Sequence, residues 1–413
     1  MAFLKKYRYE LLLVLLAIGW VYFVSFAIQF SAGYSTIGDD WSYLTAAKKL
    51  YFDGLPDEGR PFGIAALFGL PFLLGGSAST VIAWGICINF ASWAFSILLV
   101  FWTLSRRISY ERAFWFAVLF LLCIGNLAVA RRFIPEAPFI ALLLFAVYLL
   151  NRFDLTRKAG FLSGALAVLF FAVLIKPIAL GLALIVIVFH FKSLKSAIKT
   201  KISVFVYVAI ALIALQMNEM KKAYGDFTIS YIGNITYYNY LGAKADCLRK
   251  GIAFVPGENE RAKHFQKFSS HDQTKMVKND MIEQLQNNTI NFVKAYLYCM
   301  YANSSKGSYL ISECTNKADT FYFDAFHWFF KAVSKVQNIV LTAIGILLSL
   351  YVWVRRKKSS AFQRLLALAT LYIFFISAMS CFQTDRFHIV FFPLVLIMIA
   401  EFYQIKKADT KPA

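Results

Sequence analysis

Ten apolar runs, at 11–30, 78–104, 113–130, 137–151, 161–175, 177–191, 202–219, 331–354, 361–383 and 389–404, constrain this chain more than any motif does. A helix needs ~20 apolar residues to cross the hydrocarbon core, and lipid offers its backbone no hydrogen-bond partner, so only helices or closed barrels can span it. The reading is an all-α polytopic membrane protein with about ten transmembrane helices. Two stretches allow a second reading: 161–191 as one long helix interrupted at Lys176-Pro177, and Pro61 to Gly76 as an extra span instead of an interfacial helix.

Charge decides between them. With ten spans and the N-terminus inside, about half of the 43 Lys and Arg fall in the cytoplasmic pieces 1–10, 105–112, 151–160, 191–201, 355–364 and 405–413. The short outer loops keep only Lys48, Lys49, Arg60, Arg131, Arg132, Lys176 and Arg386. Joining 161–191 puts Lys192 to Lys201 and Arg355 to Lys358 outside, and an extra span at 61–76 puts Arg106, Arg107 and Arg112 outside, both against the positive-inside rule. A hydrophobic content of 59% over 413 residues excludes one soluble domain. The net charge of +20 is spread over short clusters that flank apolar runs, so it reads as membrane orientation and no nucleic-acid partner is expected. No cleavable signal is expected at the N-terminus, because Trp20 to Phe30 has no clear small-residue cleavage site.

The organisation that follows is an N-terminal membrane module at 1–218 with its first outer loop at 31–77, a cap at 219–330, and C-terminal membrane helices at 331–413. Within the cap, Ser270 to Asn287 and Thr289 to Ala302 carry apolar residues at helical spacing, with Ser269 or Ser270 as a candidate N-cap. The aromatic, Asn-rich tract Tyr231 to Tyr240 reads as loop. Cys87, Cys123 and Cys381 read as core residues of apolar runs. Cys247, Cys299 and Cys314 share the polar insert, where at most one bridge can form among three.

This topology gathers the isolated charges at one membrane surface: Asp39 and Asp40 after span 1, Arg60 before span 2, Arg132 and Glu136 between spans 3 and 4, Lys176 between spans 5 and 6, and Asp385, Arg386 and His388 between spans 9 and 10. Carboxylates beside cations at a lipid interface suit group transfer from a lipid-linked phosphate to a hydroxyl. A carboxylate removes the proton of a poor nucleophile as it attacks, and fixed cations stabilise the charge that grows on the leaving phosphate. Asp39 and Asp40 are the candidate catalytic residues, and Arg60, Arg132, Lys176 and Arg386 the candidate phosphate ligands. Glu136, Tyr43, Asp385 and His388 are supporting candidates. Helix capping by the two acids, and snorkelling of one of Arg131 and Arg132, are the structural alternatives. No His/Asp ligand cluster is present, so no metal is expected.

The same residues resemble a known family. Asp39-Asp40 with Tyr43 and Ala46-Ala47, Arg60-Pro61 opening an apolar helix that ends in Gly75-Gly76, Arg132-Phe-Ile-Pro135-Glu136, Lys176-Pro177, and Asp385-Arg386-Phe387-His388 with Pro393 are similar to landmarks of integral-membrane GT-C glycosyltransferases, above all the protein O-mannosyltransferase and lipid A aminoarabinose transferase group. The resemblance implies a GT-C-like bundle, a polyprenyl-phosphate sugar donor, inversion at the anomeric centre, Asp39 as base and Asp40 as its neighbour. It also implies a glycan, lipid or protein acceptor outside a bacterial inner membrane, as in enzymes that modify O-antigen, while the charge count puts both termini in the cytoplasm. The family's usual Asp-Glu pair is here Asp-Asp, and its Lys-Pro-Pro or His-Pro-Pro is Arg60-Pro61-Phe62. The competing expectations are a surface-polysaccharide polymerase or ligase, which would use a lipid diphosphate and depend on cap arginines, and a lipid-oligosaccharide flippase.

Overall fold

The computed structural model describes residues 7–30, 39–256 and 259–409, with side chains to residue 402. Residues 31–38, where the first outer loop begins, lie outside that set. Among the described residues there is no β-strand; the chain is an all-α polytopic membrane protein. Five helices are long and apolar enough to cross a membrane: α1 (Arg8–Ala27), α4 (Ala78–Leu104), α7 (Glu136–Thr156), α11 (Ser203–Tyr224) and α18 (Phe323–Val354). In between run α2 (Asp40–Asp53) and α3 (Phe62–Gly69) in the first loop, then α5 (Tyr110–Leu121), α6 (Ile124–Ala130), α8 (Ala159–Val173), α9 (Ala179–Phe189) and α10 (Phe191–Ala197). The last membrane segments are α19 (Ala361–Ser377) and α20 (Phe392–Asp409).

The ten apolar runs are thus helical, but not as ten straight spans. The run 113–130 bends by 66° between α5 and α6, and the run 177–191 turns by 96° between α9 and α10, so at most seven segments meet the length test for a span. α8, α19 and the apolar part of α20 are shorter. The α5–α6 break has a compensating side chain: Gln337 on α18 accepts from the backbone N–H of Ile124 and donates to the carbonyl of Leu122, both at 2.9 Å. That satisfies backbone groups which lipid would leave unpaired. Asn89 on α4 similarly pins the loop between α6 and α7 by donating to the carbonyls of Arg132 and Ile134.

Lipid-like surroundings are also written on the surface, where Leu15, Val188 and Leu347 are each more than 60% exposed. At the end of α7 remote from Glu136, Arg107 pairs with Asp154 at 2.7 Å and Glu401 at 3.2 Å and bonds Asn151. Glu136 and Asp154 lie at the two ends of one helix, roughly 27 Å apart at 1.5 Å per residue, close to the thickness of a hydrocarbon core.

The insert folds over the Glu136 end. It contains α12 (Ile232–Thr236), a π-helical turn at Tyr237–Leu241, α13 (Gly242–Lys250), α14 (Glu260–Phe265), α15 (Ser270–Asn287), α16 (Thr289–Ser304) and α17 (Tyr309–Ser312). α15 and α16 form where the apolar residues recur at helical spacing, and the Ser269 hydroxyl caps α15 by accepting from Asp272 N. Tyr231 to Tyr240 is not a loop: its aromatic rings pack under the cap, with Tyr238 stacked on Phe265 at 3.7 Å, and burial makes a helical backbone favourable there. The cap has only small apolar clusters of its own. It leans on the first loop, where Tyr231 N donates to Glu58 O at 2.8 Å, and on α19, where Tyr296 donates to Phe375 O at 2.8 Å. A disulfide joins Cys299 of α16 to Cys381 after α19. Cys381 is therefore no core thiol, and Cys247 and Cys314 stay reduced, since the chain returning from α19 passes directly beneath α16.

Candidate active site

Asp39 is the N-cap residue of α2, yet its side chain caps nothing. It leaves the helix and accepts from Arg60 Nη2 at 2.7 Å and from Arg386 Nη1, with about a third of the side chain exposed. The capping alternative therefore fails for Asp39. Arg60 is held in turn: Asp57 Oδ1 accepts from its backbone N–H at 2.8 Å, Ser42 Oγ accepts from its Nε at 2.9 Å, and the Tyr43 hydroxyl accepts from Nη1 at 3.1 Å. The Arg60 guanidinium also lies 4.4 Å from the centre of the Tyr43 ring. Gly59 and Arg60 thus close an Asx turn that aims one cation at one acid.

Arg386 links this pair to the membrane helices. Its Nε donates to Glu136 Oε1 at 2.6 Å, and the same oxygen accepts from Lys176 Nζ at 2.8 Å. Glu136 opens α7 and is fully buried, so its charge is held only because two cations meet it. The result is one chain of alternating charge, Arg60–Asp39–Arg386–Glu136–Lys176, assembled from five separate segments. All five residues line a cavity of about 800 Å³. The rest of its wall is apolar at Ile175, Pro177, Ile178, Ile373, Ile376 and Met379, and mixed where the cap closes it, with Phe227, Ile229, Ile232 and Ile235 beside Thr236, Asn239 and Tyr240.

Electrostatics follow from this geometry. Burial alone would raise the Asp39 pKa, but Arg386 and Arg60 outweigh it and hold the carboxyl well below its usual range. Burial pushes the Tyr43 phenol up, and burial pulls the Lys176 ammonium down against the opposing pull of Glu136. Among the described residues, three cations against two carboxylates leave one surplus positive charge on the cavity wall.

Several candidates lie elsewhere. Asp40 is fully buried and pairs with Arg132 Nε at 3.0 Å, while Arg132 also reaches Glu313 at 3.3 Å. Neither lines the cavity, so the structure sets Arg132 behind the site rather than at a phosphate, and Asp40 as its partner. Arg131 donates to Phe30 O at 3.3 Å. Asp385 is buried beside Gly125, where an added Cβ would collide with the carboxylate, and burial pushes its pKa up to about 7. His388 is enclosed, with Nδ1 within 3.1 Å of Thr342 and Asn338 and Nε2 3.2 Å from Ser377. Burial keeps it neutral, which makes it a satisfied interior group. Among the described residues, no group of three or more His, Cys, Asp or Glu is arranged to hold a metal.

Gln383, Tyr240 and Asn239 line the same cavity, and sequence reasoning missed all three. The aromatic, Asn-rich tract was the available signal for two of them.

No family model matches the chain, and no curated protein matches it. Among solved structures it is similar to the archaeal oligosaccharyltransferase AglB from Archaeoglobus fulgidus, determined in complex with an inhibitory peptide and a dolichol-phosphate. The identity is 13% and the TM-score 0.47, over 99% of this chain and 53% of that one. The chain therefore spans about half the length of that protein, and the likeness concerns the course of the backbone.

Proposed function

We propose that this chain is a membrane glycosyltransferase of the GT-C kind, which moves a sugar from a polyprenyl-phosphate donor to a hydroxyl of an extracytoplasmic glycan, lipid or protein, with Asp39 as general base. The observation that carries the reading is the single ion-pair chain on one cavity wall, which joins Asp39 to Lys176 through Arg386 and Glu136. In the reaction, the donor phosphodiester meets Arg386, Lys176 and Arg60, and its lipid lies against the apolar wall. The acceptor oxygen attacks the anomeric carbon on the face opposite the phosphate. The new C–O bond forms as the bond to the phosphate oxygen breaks, so the configuration inverts. The hydroxyl proton passes to Asp39, and the phosphate leaves with one additional negative charge, which the cations stabilise.

An acid held so far below its usual range is a weak base while Arg60 and Arg386 cover it. Donor phosphate competes for those arginines and adds an anion nearby. Both effects raise the proton affinity of Asp39 when it is needed.

The surplus of one positive charge suits a phosphodiester better than a diphosphate, which disfavours the polymerase or ligase reading. Cap arginines, which that reading needs, are otherwise engaged: Arg249 with Asp246 and Glu283, and Arg261 with Asp280. The basic clusters at the Arg107 end support a cytoplasmic assignment of that end by the positive-inside rule, and a disulfide beside the cavity fits an oxidising outer compartment. The test is purified full-length protein given polyprenyl-phosphate sugars or polyprenyl-diphosphate sugars with an acceptor panel, scored by release of the lipid product. Release of polyprenyl phosphate, unchanged by chelator, is expected; turnover of diphosphate donors alone contradicts the proposal.

A further inference from the structure

Between the disulfide and Arg386, the backbone does something costly. Phe382 and Thr384, both non-glycine, adopt left-handed conformations with φ of 61° and 53°, and Gln383 stands between them. Residues persist in that region only where their surroundings hold them, and such strain gathers at functional positions. Here the surroundings are plain. Cys381 is bonded to Cys299, Asn303 Oδ1 accepts from Gln383 N at 3.0 Å, and Asn303 Nδ2 donates to the carbonyls of Ser377 and Ser380. The segment is clamped from one side so that the Gln383 side chain faces the cavity.

The cap meets it with a second irregularity. The π-helical turn at Tyr237–Leu241 carries Asn239 and Tyr240 on the cavity wall, and Gln383 Nε2 donates to the Tyr240 hydroxyl at 3.1 Å. Single π turns re-aim side chains that a regular helix would point elsewhere. Gln383 also precedes Arg386 by one turn, with Arg386 N donating to Gln383 O at 3.1 Å. The amide–phenol pair is thus fixed beside the cation taken to bind phosphate, within the reach of a group attached to that phosphate. Among the described residues, every ionisable Asp, Glu, Lys or Arg on the cavity wall belongs to the ion-pair chain already described. The lining contributed by these two segments offers the amides of Asn239 and Gln383, the hydroxyls of Thr236 and Ser380 and the ring of Tyr240, beside the apolar Ile235 and Met379.

We infer that Gln383 and Tyr240, with Asn239, form the subsite for the donor's glycosyl group, and that this group is an uncharged sugar, not an amino sugar or a uronic acid. The inference rests on the transferase reading of the cavity. A cationic sugar would need a carboxylate of its own and an acidic one a further cation; the described residues of the wall supply neither, and an unmatched charge in such a site is costly. Neutral sugar hydroxyls exchange hydrogen bonds with amides and phenols, and a ring face packs on Tyr240.

The test is displacement of radiolabelled polyprenyl phosphate from the purified full-length protein. Competitors are polyprenyl phosphate bearing a neutral hexose, a 4-amino-4-deoxypentose or a hexuronic acid. The neutral hexose series, taken over several epimers, is expected to contain the tightest ligand, at least about tenfold tighter than either charged class. Gln383→Ala and Tyr240→Phe should each weaken that ligand about threefold to tenfold, as for one lost hydrogen bond, and leave the affinity for bare polyprenyl phosphate unchanged. Tyr240→Phe keeps the ring and its packing, so it separates recognition from folding. Equal or tighter binding of a charged sugar overturns the inference while the transferase reading stands, as does a pair of variants that weaken sugar-bearing and bare lipid alike or neither. Failure of polyprenyl phosphate itself to bind the wild-type protein overturns both.

Discussion

Replacement of Glu136 by Gln removes one charge and almost no volume, from a position with no solvent exposure. Glu136 Oε1 accepts from Arg386 at 2.6 Å and Lys176 at 2.8 Å, and an amide oxygen there still accepts both hydrogen bonds. What is lost is attraction. With charge centres about 4 Å apart and an effective dielectric near 20, each pair is worth about 4 kcal/mol before desolvation is set against it. Arg386 keeps Asp39 as a direct counter-ion, whereas Lys176, 15% exposed, loses its one ion pair among the described residues and feels Asp39 only at longer range. Breaking a buried pair by removing one partner costs about 3–5 kcal/mol, mostly for the charge left behind. Glu136→Gln should therefore lose about that much in denaturant unfolding measured in detergent. Removing the stranded cation as well, in Glu136→Gln/Lys176→Met, should recover about half of it without restoring transfer. A loss below about 1 kcal/mol, or a double variant no more stable than the single one, refutes the assignment of Glu136 as the buried anchor of both cations.

Asp385→Asn should flatten part of the pH dependence of stability. With its pKa raised by burial to about 7, Asp385 folds most easily when protonated; its contribution is favourable below the ordinary carboxylate range and is lost as pH rises towards 7. The variant should thus gain on the wild type between pH 4 and 8, and parallel melting curves across that range would contradict it. Cys299→Ser, or reduction, should cost about 2–4 kcal/mol for a bridge spanning 82 residues and should weaken donor binding more than it disturbs the α1–α11 bundle. Unchanged affinity and stability would show that the clamp on Gln383 does not need the bridge.

Much of the site was legible because charge is expensive in a membrane. Asp39, Arg60, Glu136, Lys176 and Arg386 each stand out as polar residues between apolar runs, and charge parity puts them on one side without knowledge of any contact. Contacts decide the rest. Arg132 and Asp40 look like members of the same set, yet they satisfy each other and Glu313 behind the cavity, a pairing across 92 residues that no local pattern encodes. His388 and Asp385 are polar at the right place in sequence, but the 3₁₀ turns at Thr384–Arg386 and His388–Val390 turn them into the protein instead of the cavity. The bend after Leu121 was hidden because the apolar run continues through it, and Gln337, far away on α18, satisfies the backbone groups it frees, whereas the turn after Phe189 falls where its apolar run gives way to His190 and Lys192. Gln383 carried no signal: its position depends on backbone strain and on a disulfide to a cysteine 82 residues away.

Everything proposed for the cavity turns on whether the Asp39 carboxylate takes the acceptor's proton. The direct measurement is single-turnover transfer from a polyprenyl-phosphate sugar by Asp39→Asn beside the wild type, with polyprenyl phosphate binding measured on both. The account predicts a rate lower by about 10²–10⁴-fold with lipid phosphate still bound. A variant that keeps more than about a tenth of the wild-type rate would contradict it.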